Sequence, residues 1–81
     1  MDSKELHKKI NLKHLANGLG GLRRLKGHTL EDLAFYTRKD IAYLSRLENG
    51  KASPKMETLS DILSFYNMTM KEFYDGLDDF I

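Results

Sequence analysis

At 81 residues the chain has room for one small domain. It contains no cysteine, which excludes disulfides, zinc–thiolate sites and thiol nucleophiles. With 41% hydrophobic residues, one proline and six glycines it has the makeup of a globular chain, and no window approaches the ~20 apolar residues of a membrane span. The charged start Met1-Asp2-Ser3-Lys4-Glu5 has no signal-peptide character, so a cytoplasmic location is expected. A core of this size supplies only ~3–5 kcal/mol, which favours oligomerisation, and it leaves few residues to wall off an enzyme's pocket. The net charge of +1 hides an asymmetry. Residues 1–55 hold twelve of the thirteen Lys/Arg and six of the twelve acids, net +6, while residues 56–81 are net −5. A basic side facing a polyanion and an acidic side facing elsewhere would produce this pattern, as would two solvated faces.

Strand alternation is absent, and the pattern is one of short capped helices. Ser3 caps a first segment carrying Leu6 and Ile10. Leu12, Leu15, Leu19 and Leu22 share a different helical face, so a break is expected near Asn11. Gly18, Gly20 and Gly21 weaken this second helix or admit another backbone, and Gly27 ends it. Thr29-Leu30-Glu31-Asp32 forms a capping box with Asp in place of Glu, opening a helix with Leu33, Ala34 and Thr37 inward. Asp40 caps the next helix, Ile41 to about Glu48, with Leu44 and Leu47 inward and a stop at Asn49-Gly50. Ser53 as cap and Pro54 as first helical residue open another helix, with Met56, Leu59, Ile62, Leu63 and Tyr66 as its apolar stripe. Asn67 is a left-handed cap. Thr69-Met70-Lys71-Glu72 is a full capping box, and the last helix carries Phe73, Tyr74 and Leu77. The fold class is all-α: a bundle of five or six short helices. It comprises an N-terminal extension (1–11, helical), a central domain (12–76) and an apolar, acidic tail (77–81).

Two short helices joined at Arg38-Lys39 have the form of a helix-turn-helix. Residues 15–74 resemble the phage-repressor (Cro/Xre) helix-turn-helix family of transcriptional regulators. The resemblance rests on Thr-Leu-Glu-Asp-Leu-Ala at 29–34, on Tyr43-Leu44-Ser45-Arg46-Leu47-Glu48-Asn49-Gly50, and on Ser53-Pro54 followed by Met56, Leu59 and Ile62. It implies a lambda-repressor-like DNA-binding domain that reads a palindromic operator in double-stranded DNA as a homodimer, most simply as a repressor. It pairs Arg23 with Glu48. It places Ile41, Ala42, Tyr43 and Arg46 on the groove-facing side of the recognition helix: Arg46 for guanine or a phosphate, Ile41 or Ala42 for thymine methyls (Ile41 alternatively in the core), and Tyr43 for a base edge or a phosphate. Phosphate contacts fall to Arg38, Lys39, Asn49 and Lys51, with Thr29 and the helix N-terminus at Leu30. Three residues depart from the family pattern: Leu30 replaces a phosphate-binding glutamine, Arg38 a turn glycine and Lys39 an apolar turn residue.

Tyr74, Leu77, Phe80 and Ile81 extend an apolar stripe beyond the family's last core position and are expected as the dimer contact, rimmed by Asp75, Asp78 and Asp79. Folding of the tail onto Leu6 and Ile10 is the competing outcome. A protein-interaction module on the same fold, antitoxin-like or an anti-repressor partner, is the alternative function, with Phe35, Tyr36, Ile41 and Tyr43 as a docking patch. No metal, cofactor or catalytic set is indicated. His7 and His14 lack a third ligand, and Ser45 and Ser60 lack a histidine partner.

Overall fold

The computed structural model describes residues 12–80. The expected N-terminal helix with Leu6 and Ile10, the break at Asn11, and Ile81 lie outside the described residues. Among the described residues there are five α-helices: α1 (Leu12–Leu25), α2 (Leu30–Thr37), α3 (Ile41–Glu48), α4 (Met56–Phe65) and α5 (Met70–Asp75). A 3-10 turn over Leu77–Phe80 follows, and no strand occurs among the described residues.

The helix boundaries follow local chemistry. His28 N donates to Arg23 O (3.1 Å) across the end of α1, a closure that Gly27 permits by its φ of 77°. Thr29 Oγ1 accepts from Asp32 N and Thr29 N donates to Asp32 Oδ2, both at 3.0 Å, so the shorter Asp completes the box that opens α2. Asp40 Oδ1 accepts from Ala42 N (2.9 Å) at the start of α3. Thr69 and Glu72 close the second box at the start of α5. Two non-glycine residues are left-handed, Arg38 (φ 58°) and Asn67 (φ 57°), ending α2 and the α4 turn.

One boundary differs from the sequence reading. α4 starts at Met56 with Lys55 as N-cap and no side-chain cap bond, not at Ser53-Pro54. Pro54 is buried and anchors the loop before the helix, while Ser53 is exposed. Met56 is therefore the first helical residue and is exposed, whereas Thr58 is buried.

Leu15, Leu19 and Leu22 of α1 meet Leu33, Leu44, Leu47, Leu59, Ile62, Leu63 and Phe73 in one core. A second difference concerns the C-terminus. Leu77, expected to stand uncovered, is 3% exposed, and Tyr74 is also buried. The reason is Gly18: a Cβ there would overlap Leu77 Cδ1, so the glycine of α1 opens the notch that Leu77 fills. Phe80, half-buried, stacks on Phe73 (centroids 5.9 Å apart, planes at 12°). The 3-10 turn thus packs against α1 and belongs to the domain. The premise that this stripe needed a second chain to cover it is overturned for Tyr74 and Leu77.

Candidate nucleic-acid interface

α2 packs against α3, and both rest on the rest of the bundle, α3 on α1 and α2 on α4. Leu44 and Leu47 fix the inner side of α3 in the core. Its outer side carries exposed Ile41 (38%), Ala42 and Arg46. Tyr43 is half-buried against the core, and the Arg46 guanidinium lies over its ring, 5.8 Å from the centroid. Of the four residues assigned to groove reading, Ile41, Ala42 and Arg46 are thus exposed and Tyr43 is half-buried.

The far end of α3 is pinned to α1. Arg23 Nε donates to Glu48 Oε2 (2.9 Å) and Nη2 to Glu48 Oε1 (3.0 Å). Nη1 donates to His28 O (2.9 Å). The side chains are only 15% and 11% exposed, so this two-pronged bond sits largely out of water. The hydrogen bond to Glu48 raises the Arg23 pKa above its ordinary value, keeping the guanidinium charged. Close packing continues at Gly20, where a Cβ would come within 3.3 Å of Glu48 Oε1.

The assigned phosphate contacts divide by availability. Arg38, Asn49 and Lys51 are exposed around the two ends of α3. Asn49 Nδ2 already donates to Ser45 O (2.7 Å), which orients the amide. Thr29 is exposed, with Oγ1 accepting from Asp32 N and its hydroxyl proton left to donate. Leu30 packs its side chain against the core, so only its place at the N-terminus of α2 could serve an anion. Lys39 differs from expectation: its Nζ is bonded to Asp61 Oδ2 of α4 (3.0 Å), and its side chain is mostly covered. That charge ties the turn to α4, so its contribution to DNA is reduced.

Two further features bring together residues that sequence patterning did not connect. A continuous row of rings runs Phe35–Tyr36–Phe65–His28, with Tyr36 stacked on Phe65 (5.0 Å, 18°) and His28 4.9 Å from Phe65. Phe35 and Tyr36 are 77% and 62% exposed. Second, Tyr66, beside His28 and Phe65, buries a hydroxyl that has no hydrogen-bond partner among the described residues. Burial pushes its pKa from 10.0 up to about 12. No helix among the described residues is long and apolar enough to cross a membrane.

The helix-turn-helix family model matches residues 21–73, a span from the middle of α1 into α5. The chain is similar to the HTH-type transcriptional regulator DdrOP3 of Deinococcus deserti, 34% identical over 64 residues. That alignment covers 79% of this chain and 50% of the relative, so the chain spans about half the relative's length. No solved structure matches. With more than half of its residues matched by the family model, the chain belongs to the Cro/Xre-type helix-turn-helix family.

Proposed function

We propose that the chain is a sequence-specific DNA-binding transcriptional regulator of the cytoplasm, a repressor that inserts α3 into the major groove of a palindromic operator as a homodimer. The observation that carries the reading is α3 itself. Its inner side is locked by Leu44, Leu47 and the Arg23–Glu48 bond, and its outer side offers Ile41, Ala42 and Arg46 to solvent. A helix presented this way fits a groove wide enough for one α-helix. Exposed Arg38 and Lys51 flank it, where backbone phosphates would pass. The role needs binding only, without cofactor or catalytic step.

The size of the domain is compatible with a dimer on adjacent half-sites. The described domain measures 34 × 22 × 21 Å. Two such bodies set end to end along the long axis would stand near the ~34 Å of one DNA turn, the spacing of adjacent half-sites. The contact itself is not assigned to Leu77, which its own chain covers. Titration of labelled duplex DNA at increasing salt tests the function. Affinity should fall steeply with salt, and Lys51→Ala should flatten the log–log slope by about one unit. Binding that ignores salt would refute DNA recognition.

One observation favours a second reading, a module that docks a protein partner: the exposure of Phe35 and Tyr36 on α2. Under that reading Phe35→Ser would abolish partner capture and leave DNA affinity unchanged.

A further inference from the structure

Two adjacent basic residues occupy the turn between α2 and α3, and the fold treats them oppositely. Arg38 ends α2 in a left-handed conformation and its side chain is exposed. Lys39 donates its backbone N–H to Ala34 O (3.2 Å), which fixes the next step of the turn, and its side chain is only 21% exposed. The methylene stem therefore lies along the domain, as long cationic side chains do when only the head is carried outward. The head comes out at α4, where Nζ meets Asp61 Oδ2. Asp61 is held in register with the turn by its surroundings. It lines the groove between α2 and α4 with Tyr36, Thr37, Ser64 and Phe65, and the Tyr36–Phe65 stack closes α2 on α4 there. An isolated surface ion pair orders its partners weakly. Here the covered stem and the ring stack hold both ends.

We infer that Asp61 is a positioning residue for DNA binding: it holds the Lys39 ammonium at α4 and keeps it off the DNA backbone, so the turn offers one phosphate contact, Arg38, in place of two. This role rests on the DNA-binding reading above. Its consequence is electrostatic. A phosphate contact strengthens binding by releasing a condensed counterion, whatever the base sequence. A lysine whose charge is already met by a carboxylate adds little to that release. Asp61 thus lowers the affinity for every duplex while touching no nucleic acid itself. Random sites far outnumber an operator in a genome, so a cap on sequence-independent affinity limits how much protein they hold.

Salt titration of the full chain on a labelled random-sequence duplex is the test. Asp61→Asn keeps the size of the side chain and removes its charge, which releases Lys39. The slope of log affinity against log salt should steepen by ~0.9, so binding weakens a further ~3.5-fold between about 50 and 200 mM salt. Affinity near 0.1 M salt should rise by roughly five- to tenfold. Lys39→Met in the wild-type background should flatten the slope by well under half of what Lys51→Ala removes, because the amine is already bound to Asp61. The double variant Asp61→Asn/Lys39→Met isolates the pair and should lose the steepening. A merely structural Asp61 would lower the melting temperature of Asp61→Asn without steepening the slope, and that result overturns the inference. So does a steepening that survives in the double variant, which would show Asp61 acting as a bare negative charge, or a loss of about one unit in Lys39→Met alone. If the wild type binds the duplex without salt dependence, or not at all, the DNA-binding reading itself falls.

Discussion

Arg38 sits where the chain's stability and its proposed function pull apart. It ends α2 with φ 58° and ψ 37°, a left-handed conformation that costs a residue with a Cβ ~1–2 kcal/mol. Replacing it by glycine removes that cost but loosens the unfolded chain, which takes back ~0.4–1 kcal/mol. The backbone bond of the cap, Arg38 N to Ala34 O, survives the change, and the side chain is exposed. Arg38→Gly should therefore stabilise the domain by ~0.5–1 kcal/mol, a rise of about 2–8 °C in melting temperature for a domain of this size. DNA binding should move the other way. Losing one phosphate contact lowers the slope of log affinity against log salt by ~0.9. Thermal unfolding followed by circular dichroism, with a salt titration of DNA affinity on the same preparation, reads both. A fall in melting temperature would refute the strain argument by showing that the arginine side chain supports the turn. Unchanged affinity and slope would show that it touches no phosphate.

Three other perturbations follow from the packing. Glu48→Ala strands the Arg23 guanidinium in a largely covered place, and removing one partner of such a pair costs ~3–5 kcal/mol; the low end suits a pair still partly in contact with water. Its melting temperature should fall by at least ~12 °C, and a shift within a few degrees would mean that solvent already screens the pair. Gly18→Ala should destabilise, because the new methyl overlaps Leu77 Cδ1 and overpacking of ~1–3 kcal/mol outweighs a helix gain of ~1 kcal/mol; shortening Leu77 to Ala in the same chain should recover part of the loss, and a stabilised single variant would refute the notch. Tyr66 gives the domain an alkaline limit. Its folded pKa of about 12 lies above the ordinary 10.0, so its contribution is complete below pH 10 and is lost as pH rises towards 12, where the unfolded chain has released the proton and the folded chain has not. Denaturant unfolding of Tyr66→Phe against wild type from pH 8 to 12 should show a smaller alkaline loss in the variant, with equal or greater stability at pH 8 because the removed hydroxyl has no partner.

What the sequence disclosed about this fold was mostly local. The boxes at Thr29–Asp32 and Thr69–Glu72 each close within four residues, so spacing alone reveals them. Asn67 was readable as left-handed for the same reason, whereas Arg38 was marked only as standing where the family has a turn glycine. The Arg23–Glu48 bond joins residues 25 apart, and only the family resemblance points to it. Lys39 and Asp61 lie almost as far apart in sequence with no pattern to follow, so Lys39 looked like a phosphate ligand. The helical period of the last segment was legible, but not which surface would meet it. Gly18 and Leu77 form a knob and a notch contributed by opposite ends of the domain, and a glycine in a helix pattern does not say what fills the space it leaves. Pro54 misled in a related way: Ser-Pro is a good helix start, yet here the ring is anchored below a loop.

The acids behind the charge asymmetry also make local bonds. An acidic final third would be a separate face only if its carboxylates stood together in solvent. Several have local duties instead. Asp61 holds Lys39, Asp75 holds Lys71, Asp78 meets His14 Nε2 at 3.0 Å, and Glu72 caps α5, its pKa lowered by the Thr69 N–H bond. These acids fasten the second half of the chain to the first and to itself. In the basic part, Arg23 is consumed by Glu48 and Lys39 by Asp61, the first holding the end of α3 and the second the turn between α2 and α3. Exposed Arg38, Arg46 and Lys51 then surround α3. Lys13, Arg24, Lys26 and Lys55 are exposed as well, so the positive charge left after pairing includes the two ends of α3 without being confined to them.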